Sequence, residues 1–442
     1  MANPFRPISI SLSPNVQADD VKLAFSLLFG KPKSGEVKPH QILEQRFREY
    51  LGVKRAYSFN SGRSSLMAIL AALELEQGSK VMLQAFTCNA AVNPIRWAGL
   101  EPVYVDCDQN YNLSAADLRK KITKKSRAVM VQHTFGLPAD MDEIKKICDE
   151  NNLILIEDCA HSLGAEYNGN GSANSGQASP RPAGRVGTFG KAAFFSFGRD
   201  KMISCVYGGM AVTNDDELAR KIAAFQEKIG NPSRAWTNQQ LLHPILMEKI
   251  ILPTYSILGR YLLVLFQWSH ILSKAIHWKE KRGLPPDYFP KRLPGELAVL
   301  ALNQFKKLEE FNAHRQKIAG IYYEAFSEGL TLRARGLDPL KNSGFVLPPA
   351  PTGRKQVFLR FALRHNDAAR IIKKAWRKNM LIGDWYRTPV DPFDTKSETM
   401  GYKKGSCPTA ENFAGKMINL PTHINIGESE ARKIITFIKQ CK

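Results

Sequence analysis

Between about Lys54 and Phe225 the chain alternates short apolar runs with helical patterns, and this alternation restricts the fold more than any other feature. A strand, a helix and a second strand form a βαβ unit, and repeated units build a mostly parallel sheet. The expected strands cover residues 80–83, 102–105, 128–131 and 153–156, and the expected helices cover residues 64–75, 114–121, 141–151 and 216–225. The sequence therefore predicts an α/β fold with a mostly parallel central sheet.

Changes of pattern divide the 442 residues into three parts. Residues 1–240 are expected to form a large α/β domain, residues 241–290 an apolar helical insertion, and residues 291–442 a smaller C-terminal α+β domain. In the last part the periodicity predicts a long helix over 295–328, a strand over 357–363 and a final helix over 428–440. A segment rich in Gly, Ser, Asn and Pro, residues 168–187, is predicted to be a surface loop.

The insertion is dominated by apolar and aromatic residues from 241 to 278. Its longest uncharged runs, 250–259 and 261–273, are shorter than the ~18 residues that indicate a transmembrane helix. Two alternatives stay open. The segment packs against the fold or a dimer partner, or residues 241–282 make a peripheral membrane contact with Trp268, Trp278 and the basic residues that follow as anchors.

Charge and cysteine content narrow the class of protein. The formal net charge of +21 favours an anionic substrate, a membrane surface or nucleic acid, unless it is only the charge of a solvated basic surface, and both alternatives stay open. The sequence carries no motif of a nucleic-acid-binding fold, so nucleic acid is not an expected partner. The seven cysteines are scattered without a CxxC pair, which predicts reduced thiols and no metal site. With no secretory signal at the N-terminus, the chain is expected to be cytoplasmic, with membrane association left open.

One lysine stands between an aromatic strand and a glycine pair. Lys201 follows the run Phe194-Phe195-Ser196-Phe197 and precedes Gly208-Gly209. A buried amine has a lowered pKa and can form a Schiff base with an aldehyde cofactor, and afterwards it can carry a proton. A lone lysine after a strand is ordinarily a surface residue, so this interpretation needs further groups.

An acid-ended strand some forty residues earlier supplies such groups. Asp158 follows the apolar run 153–156 at the carboxyl end of a predicted parallel strand, where ligands bind in such sheets. A carboxylate there could pair with the ring nitrogen of pyridoxal phosphate, and His161 could face the phenolic oxygen of the same cofactor. Taken alone, Asp158 would be a helix N-cap and His161 a core histidine.

The cofactor also needs a phosphate site. Gly62, Arg63 and Ser64 follow a strand and open a helix, where free backbone N–H groups and the helix dipole favour a phosphate dianion. Ser196 could add a hydroxyl from the opposite side. A Ser-Gly turn is by itself a weak signal, because these residues open many helices.

With these residues in hand, the chain closely resembles the DegT/DnrJ/EryC1/StrS family of pyridoxal phosphate-dependent nucleotide-sugar aminotransferases, which have fold type I. The resemblance covers nearly the whole chain. Its landmarks are Asn60-Ser61-Gly62, residues 99–106, His133-Thr134-Phe135-Gly136, residues 157–165, Phe195-Ser196-Phe197 with Lys201, Gly208-Gly209, Glu296-Leu297-Ala298, Asn303-Gln304, Arg315 and residues 419–423.

The resemblance implies roles for the candidate residues. It implies that Lys201 binds the cofactor aldehyde, that Asp158 pairs with the pyridine nitrogen, that His161 takes the place of a glutamine or histidine, and that Ser196 with Arg63-Ser64 binds phosphate. It further implies a homodimer that moves an amino group, usually from glutamate, to a keto sugar on a nucleotide diphosphate, with a cell-surface polysaccharide or glycoconjugate as the end of the pathway.

Three departures from the family pattern concern the substrate more than the cofactor. Cys88 stands where an aromatic residue often covers the cofactor ring, and Phe86 is the nearest aromatic substitute. Tyr207 replaces a frequent acidic residue before the glycine pair, and the apolar insertion replaces a shorter polar segment. A dehydratase or lyase, or a non-catalytic regulatory protein, stays as the alternative function, although relatives that act as dehydratases have histidine in place of Lys201.

Overall fold

The computed structural model describes residues 4–30, 37–168, 184–331 and 344–441. Most of the surface loop predicted over 168–187 lies outside the described residues.

A seven-stranded sheet forms the centre of the molecule. In chain order its strands are β1 (Arg55–Phe59), β2 (Lys80–Gln84), β3 (Glu101–Val105), β4 (Ser126–Gln132), β5 (Ile154–Asp158), β6 (Ala192–Ser196) and β7 (Gly209–Thr213), and their spatial order is β1-β7-β6-β5-β4-β2-β3. The pairs from β6 to β3 are parallel, whereas β7 runs antiparallel to both β6 and β1. The predicted α/β class with a mostly parallel sheet is confirmed, because each of the four strands predicted for this sheet is observed with ends that differ by no more than two residues.

Helices cover both faces of this sheet and build the rest of the chain. They span Ala18–Phe29, Pro39–Leu51, Gly62–Ala72, Asn89–Trp97, Ala115–Lys121, Met141–Glu150, Asp216–Lys228, Arg234–Leu246, Arg260–Trp268, Gly295–Phe305, Leu308–Thr331, Ala368–Arg377, Pro408–Phe413 and Glu428–Lys439. Ser61, Ser114, Asp140 and Asp215 cap four of them through side-chain oxygens. The helix predicted over 114–121 thus starts at its N-cap, and those predicted over 141–151 and 216–225 start one residue after theirs, whereas the helix predicted from 64 starts three residues after Ser61.

The C-terminal part packs three helices on a small antiparallel sheet. Strands Phe361–Arg364 and Met417–Leu420 pair with each other, and a separate apolar core lies between them and the helices. The single helix predicted over 295–328 is wrong, because Gly295–Phe305 and Leu308–Thr331 are separate helices. The predicted strand over 357–363 is shorter than expected and begins at Phe361.

The insertion continues the large part of the molecule without a break. Helix Arg234–Leu246 runs across the boundary predicted at 240/241 and passes into a π-helical turn, Met247–Ile251. A second π-helical turn, Tyr255–Gly259, leads into helix Arg260–Trp268. Among the described residues no single helix is long and apolar enough to cross a membrane, whereas the bent pair Arg234–Ile251 and Tyr255–Trp268, at 110°, passes that test by length and composition.

Candidate active site

A cavity of about 550 Å³ opens at the carboxyl ends of the parallel strands. This edge of an open α/β sheet is where ligands bind, because loops and helix N-termini converge there. Four parts of the chain line the cavity: the strand ends, the N-terminal segment at Ile10, the insertion at Tyr255 and Ile276, and the C-terminal part at Trp385. The cavity therefore lies where these parts of the chain meet.

Lys201 lies in the loop between β6 and β7 and lines this cavity. Its backbone carbonyl accepts a hydrogen bond from Asn15 Nδ2 at 2.7 Å, and its Nζ lies 5.2 Å from the centre of the Trp385 ring. Burial lowers the pKa of Lys201, while Asp200, Cys88 and Asp158 oppose this by favouring the ammonium form. The structure thus places a partly desolvated amine at the strand edge.

Asp158 and His161 line the same cavity and are both buried. Asp158 Oδ1 accepts the backbone N–H of Ala160 at 3.0 Å, and burial raises the pKa of its carboxyl group. His161 Nδ1 accepts the backbone N–H of Phe135 at 3.4 Å, so the neutral ring carries its proton on Nε2. Burial, with Lys201 and Arg360 nearby, holds the pKa of His161 well below its usual value. His161 is therefore a neutral hydrogen-bond donor.

The predicted phosphate turn is only partly in the cavity. Gly62, Arg63 and Ser196 line it, whereas Ser64 does not. The N–H groups of Gly62 and Arg63 precede the first main-chain bond of the helix, from Ser65 N–H to Ser61 O. A Cβ on Gly62 would come within 3.0 Å of Ser196 Cβ, so a larger residue would fill the cradle. Gly209 is needed for the same close approach, since its Cβ would lie 2.4 Å from the Ser61 carbonyl carbon.

Ser64 and the side chain of Arg63 are engaged elsewhere. Ser64 is fully buried, donates its hydroxyl to Asn60 Oδ1 at 2.7 Å and donates its N–H to Ser61 Oγ, which is the N-cap interaction. The Arg63 guanidinium pairs with Glu280 of the insertion, whose side chain is completely buried, and lies over the Phe289 ring. Ser64 is therefore a capping residue, and only the backbone of Arg63 is free for an anion.

Of the two candidates for covering the ring, one lines the cavity. Cys88 does so, and burial raises the pKa of its thiol to about 12, so it stays protonated. Phe86 is fully buried in the core, with its ring edge-on to Tyr386 and Phe135, and is not among the cavity-lining residues. The suggestion that Phe86 substitutes for the missing aromatic residue is therefore wrong.

The C-terminal part supplies cavity residues that sequence reasoning missed. Arg360 is buried, with its guanidinium 3.3 Å from the centre of the Trp385 ring and its Nη2 bonded to Asp200 Oδ2 at 3.0 Å. Trp385 in turn stacks on His161, with ring centres 5.7 Å apart. Asp391 also lines the cavity, and burial raises the pKa of its carboxyl group to about 6. The segment Gly383-Asp384-Trp385-Tyr386, which follows strand Met380–Leu381, carries no local signal that links it to residues 158–201.

A buried group near the site that resembles a metal centre is structural. His133, Glu157 and Cys159 bring their ligand atoms within 4.8 Å of one another. However, the carboxylate of Glu157 accepts three backbone N–H groups at 2.7 Å each, from the loop before β6, as well as its contact with His133. Its oxygens therefore anchor that loop.

The residues present fit pyridoxal phosphate. A cavity-lining amine with a lowered pKa, a buried carboxylate, a neutral imidazole donor and a helix N-terminus with free N–H groups meet at one strand edge. These are the groups that would respectively bind an aldehyde, a pyridinium N–H, a phenolic oxygen and a phosphate.

Comparison with known proteins agrees with this geometry. The sequence profile of the DegT/DnrJ/EryC1/StrS aminotransferase family matches residues 34–244 and 289–439. The chain is 27% identical over 399 residues to GDP-perosamine synthase of Caulobacter vibrioides, and the aligned region covers 90% of this chain and 88% of that protein. It is 28% identical over 405 residues, with the same two coverages, to UDP-N-acetyl-3-dehydro-alpha-D-glucosamine 3-aminotransferase of Acidithiobacillus ferrooxidans.

Solved structures share the fold over almost the whole chain. PseC of Helicobacter pylori, an aminotransferase involved in the biosynthesis of pseudoaminic acid, is 20% identical, with a TM-score of 0.71 and coverage of 98% of this chain and 99% of that one. The PLP-form of a sugar aminotransferase from Streptococcus pneumoniae has the same TM-score at 17% identity, with coverage of 99% and 97%. The chain thus belongs to the DegT/DnrJ/EryC1/StrS aminotransferase family, which depends on pyridoxal phosphate, and it is itself a pyridoxal phosphate-dependent aminotransferase.

Proposed function

We propose that this aminotransferase moves an amino group from an amino acid, with glutamate as the expected donor, to a keto sugar carried on a nucleotide diphosphate, within the synthesis of a cell-surface polysaccharide or glycoconjugate. The observation that carries the proposal is the meeting of Lys201, Asp158 and His161 in one cavity. The curated relatives, a GDP-perosamine synthase and a UDP-sugar aminotransferase, support the substrate class.

Each of these three residues has a distinct task. When bound, pyridoxal phosphate supplies an aldehyde for amine exchange and a ring that withdraws electrons. Lys201 Nζ would hold the aldehyde in the resting enzyme and, once displaced by the donor amine, move a proton to and from the carbon next to the exchanging nitrogen. Asp158 would stabilise the positive charge on the ring nitrogen, and His161 would donate Nε2–H to the phenolic oxygen.

The charges around the cavity suit an anionic acceptor. Arg199 and Arg360 line it together with Lys201, and burial lowers the pKa values of both guanidinium groups. Arg360 is already paired with Asp200, whereas Arg199 donates to the neutral Ser273 hydroxyl at 2.5 Å and lies over the Tyr207 ring. A cationic, partly desolvated wall strengthens binding of a diphosphate.

Assembly and location are further parts of the proposal. We infer a homodimer, because fold type I places the cofactor sites at the subunit interface, and a cytoplasmic location, because all seven cysteines are free thiols.

A half-reaction tests the function. Enzyme loaded with pyridoxal phosphate should lose the absorbance of lysine-bound cofactor when glutamate is added and should recover it with one member of a panel of nucleotide-linked keto sugars. Asp158→Asn should slow the first conversion by about a hundredfold, because it removes the charge opposite the ring nitrogen, while the exposed Asp149→Asn should not. Absence of any conversion with glutamate or other amino donors would contradict a transaminase role, and release of water or ammonia from the sugar would identify the alternative dehydratase or lyase.

A further inference from the structure

The insertion carries an apolar face that the described part of the chain leaves exposed. Its members recur at helical spacing along residues 257–268: Ile257, Tyr261, Val264, Leu265 and Trp268. Their exposed fractions are 58%, 57%, 67%, 50% and 77%. These five residues are called the outer face below. Single exposed apolar residues are ordinary on a protein surface, but a continuous stripe indicates a binding surface.

The opposite side of the same helix is apolar as well. Leu263 and Phe266 pack against a small core of Met247, Ile251 and Leu272, yet no residue of helix Arg260–Trp268 is buried. A helix that is hydrophobic on two opposite sides normally has an apolar neighbour on each of them. The described residues of the chain therefore cover one side of this helix, and the alternatives of a dimer partner and of a membrane concern the other side.

In the insertion the acidic side chains are in ion pairs, whereas several basic side chains are exposed. The carboxylates of residues 245–288 are each paired: Glu248 with Arg6, Glu280 with Arg63 and Asp287 with Lys279. Exposed basic residues lie before, within and after the outer face, namely Lys249, Arg260, Lys274 and Arg282. The surroundings of the outer face are therefore positively charged.

These charges favour a lipid surface over a second copy of the chain. A two-fold contact brings the same patch of both subunits together, so it would place the cations of one insertion against those of the other. The family profile matches residues 34–244 and 289–439 and omits the insertion between them. The outer face consequently lies outside the part of the chain that its family shares.

We propose that the outer face lies in the interface of an anionic lipid bilayer, with the helix axis along the membrane plane. The apolar side chains would enter the boundary between head groups and acyl chains, while the neighbouring lysines and arginines contact anionic head groups. Trp268 and Trp278, both more than half exposed, are of the residue type that prefers the head-group level. This inference concerns location and does not depend on which sugar is the substrate.

The same insertion forms part of the cavity wall. Tyr255, Ala275 and Ile276 line the cavity, and Tyr207 donates its hydroxyl hydrogen bond to the carbonyl of Lys274. One element therefore carries the proposed membrane surface on its outside and a wall of the active site on its inside. Membrane contact would hold the enzyme beside the bilayer on which lipid-borne glycans are assembled.

Vesicle flotation of the intact, cofactor-loaded protein tests this proposal. The wild type should float with phosphatidylcholine vesicles that contain phosphatidylglycerol, and less with phosphatidylcholine alone or at high salt. Val264→Glu combined with Trp268→Glu should lower the partition coefficient about tenfold or more, since both side chains lose apolar burial. The matched control is Ile42→Glu, an exposed apolar position on helix Pro39–Leu51.

Further readouts separate this proposal from a dimer surface and from the proposed function. The double variant should keep the oligomeric state in light scattering, the absorbance of lysine-bound cofactor and the glutamate half-reaction. Brominated lipids should quench the tryptophan fluorescence of the wild type, and Trp268→Phe should reduce that quenching, a test that needs no drastic substitution. The proposal is overturned if the wild type neither floats nor is quenched, or if the double variant floats normally. It is also overturned if the wild type is a dimer that does not bind vesicles and the double variant is a monomer, because the outer face is then a dimer surface.

Discussion

Two regions of the molecule break the usual rule that polar groups are exposed and apolar groups buried. They are the cavity floor, formed by Asp158, His161, Lys201, Arg360 and Asp391, and the outer face of the insertion. The floor buries Asp158, His161 and Arg360, whereas the outer face exposes residues such as Val264 and Trp268. Burying a charge and exposing an apolar stripe both cost free energy, so each persists where a partner compensates it. The floor has internal partners and a cofactor to bind, while the described residues leave all five side chains of the outer face at least half exposed. The kind of partner that each region binds can therefore be inferred from what is missing around it, an anionic ligand beside the buried cations of the floor and apolar contacts on the outer face.

The largest effect is expected when Lys201 is removed from the floor. Lys201→Ala should lower transamination by about 10³-fold to 10⁴-fold, because it removes both the attachment of the cofactor and the proton carrier. The absorbance of lysine-bound cofactor and its loss on borohydride treatment are the measurements. Lys191→Ala, a half-exposed lysine paired with Asp215, is the control. If the variant keeps near-normal activity, the assignment of the floor is wrong.

The next prediction concerns the ion pair that joins the insertion to the cofactor turn. Glu280 of the insertion pairs with Arg63 of the cofactor turn, and both side chains are buried or nearly so. Glu280→Gln should lower the free energy of unfolding by about 3–5 kcal/mol, because it leaves a buried guanidinium without its counter-charge, and should weaken cofactor binding.

Chemical denaturation and cofactor titration measure these two losses. Asp287→Asn, which breaks an exposed pair with Lys279, should change stability by less than about 1 kcal/mol. Equal effects of the two substitutions would mean that the insertion and the cofactor turn are energetically independent.

The smallest effect sharpens the electrostatics of the floor. The pKa of Asp391 is raised by burial from 3.8 to about 6, so the folded protein holds this proton more tightly than the unfolded chain. The associated stabilisation is complete below pH 4 and is lost as the pH rises through about 6. Asp391→Asn should remove this loss and stabilise the protein at pH 8 relative to the wild type by up to about 3 kcal/mol. Thermal melting at pH 5 and pH 8 tests this, and a difference that is the same at both pH values contradicts it.

The local sequence pattern was sufficient to predict which residues lie at the site where the direction of the strands decides their position. Asp158 ends β5 and Ser196 ends β6, and parallel strands bring their carboxyl ends to one edge, so their proximity to Lys201 followed from the βαβ alternation. Local pattern failed where side-chain direction decides. Ser64 faces Asn60 and the cap instead of the cavity, and Phe86 points into the core, although both stand beside residues that line the site.

Residues distant in sequence could not be assigned from pattern at all. Arg360 and Trp385 reach the cavity only because the C-terminal part folds back over the strand edge, and neither stands in a motif with residues 158–201. Similarly, the apolar composition of residues 241–278 left both packing and membrane contact open. Only the coordinates show which side of helix Arg260–Trp268 its own chain covers.

The sequence by itself determined the sheet class, the strand edge at which the site lies, and the amine, acid and imidazole that suit pyridoxal phosphate. These follow from short-range periodicity and from the chemistry of single residue types, which do not depend on distant contacts. Tertiary structure decided which neighbours of those residues face the cavity, that Glu280 takes up the Arg63 guanidinium, and that the outer face stays uncovered. Those facts depend on packing between segments that are far apart in the chain, where many arrangements satisfy the same local pattern.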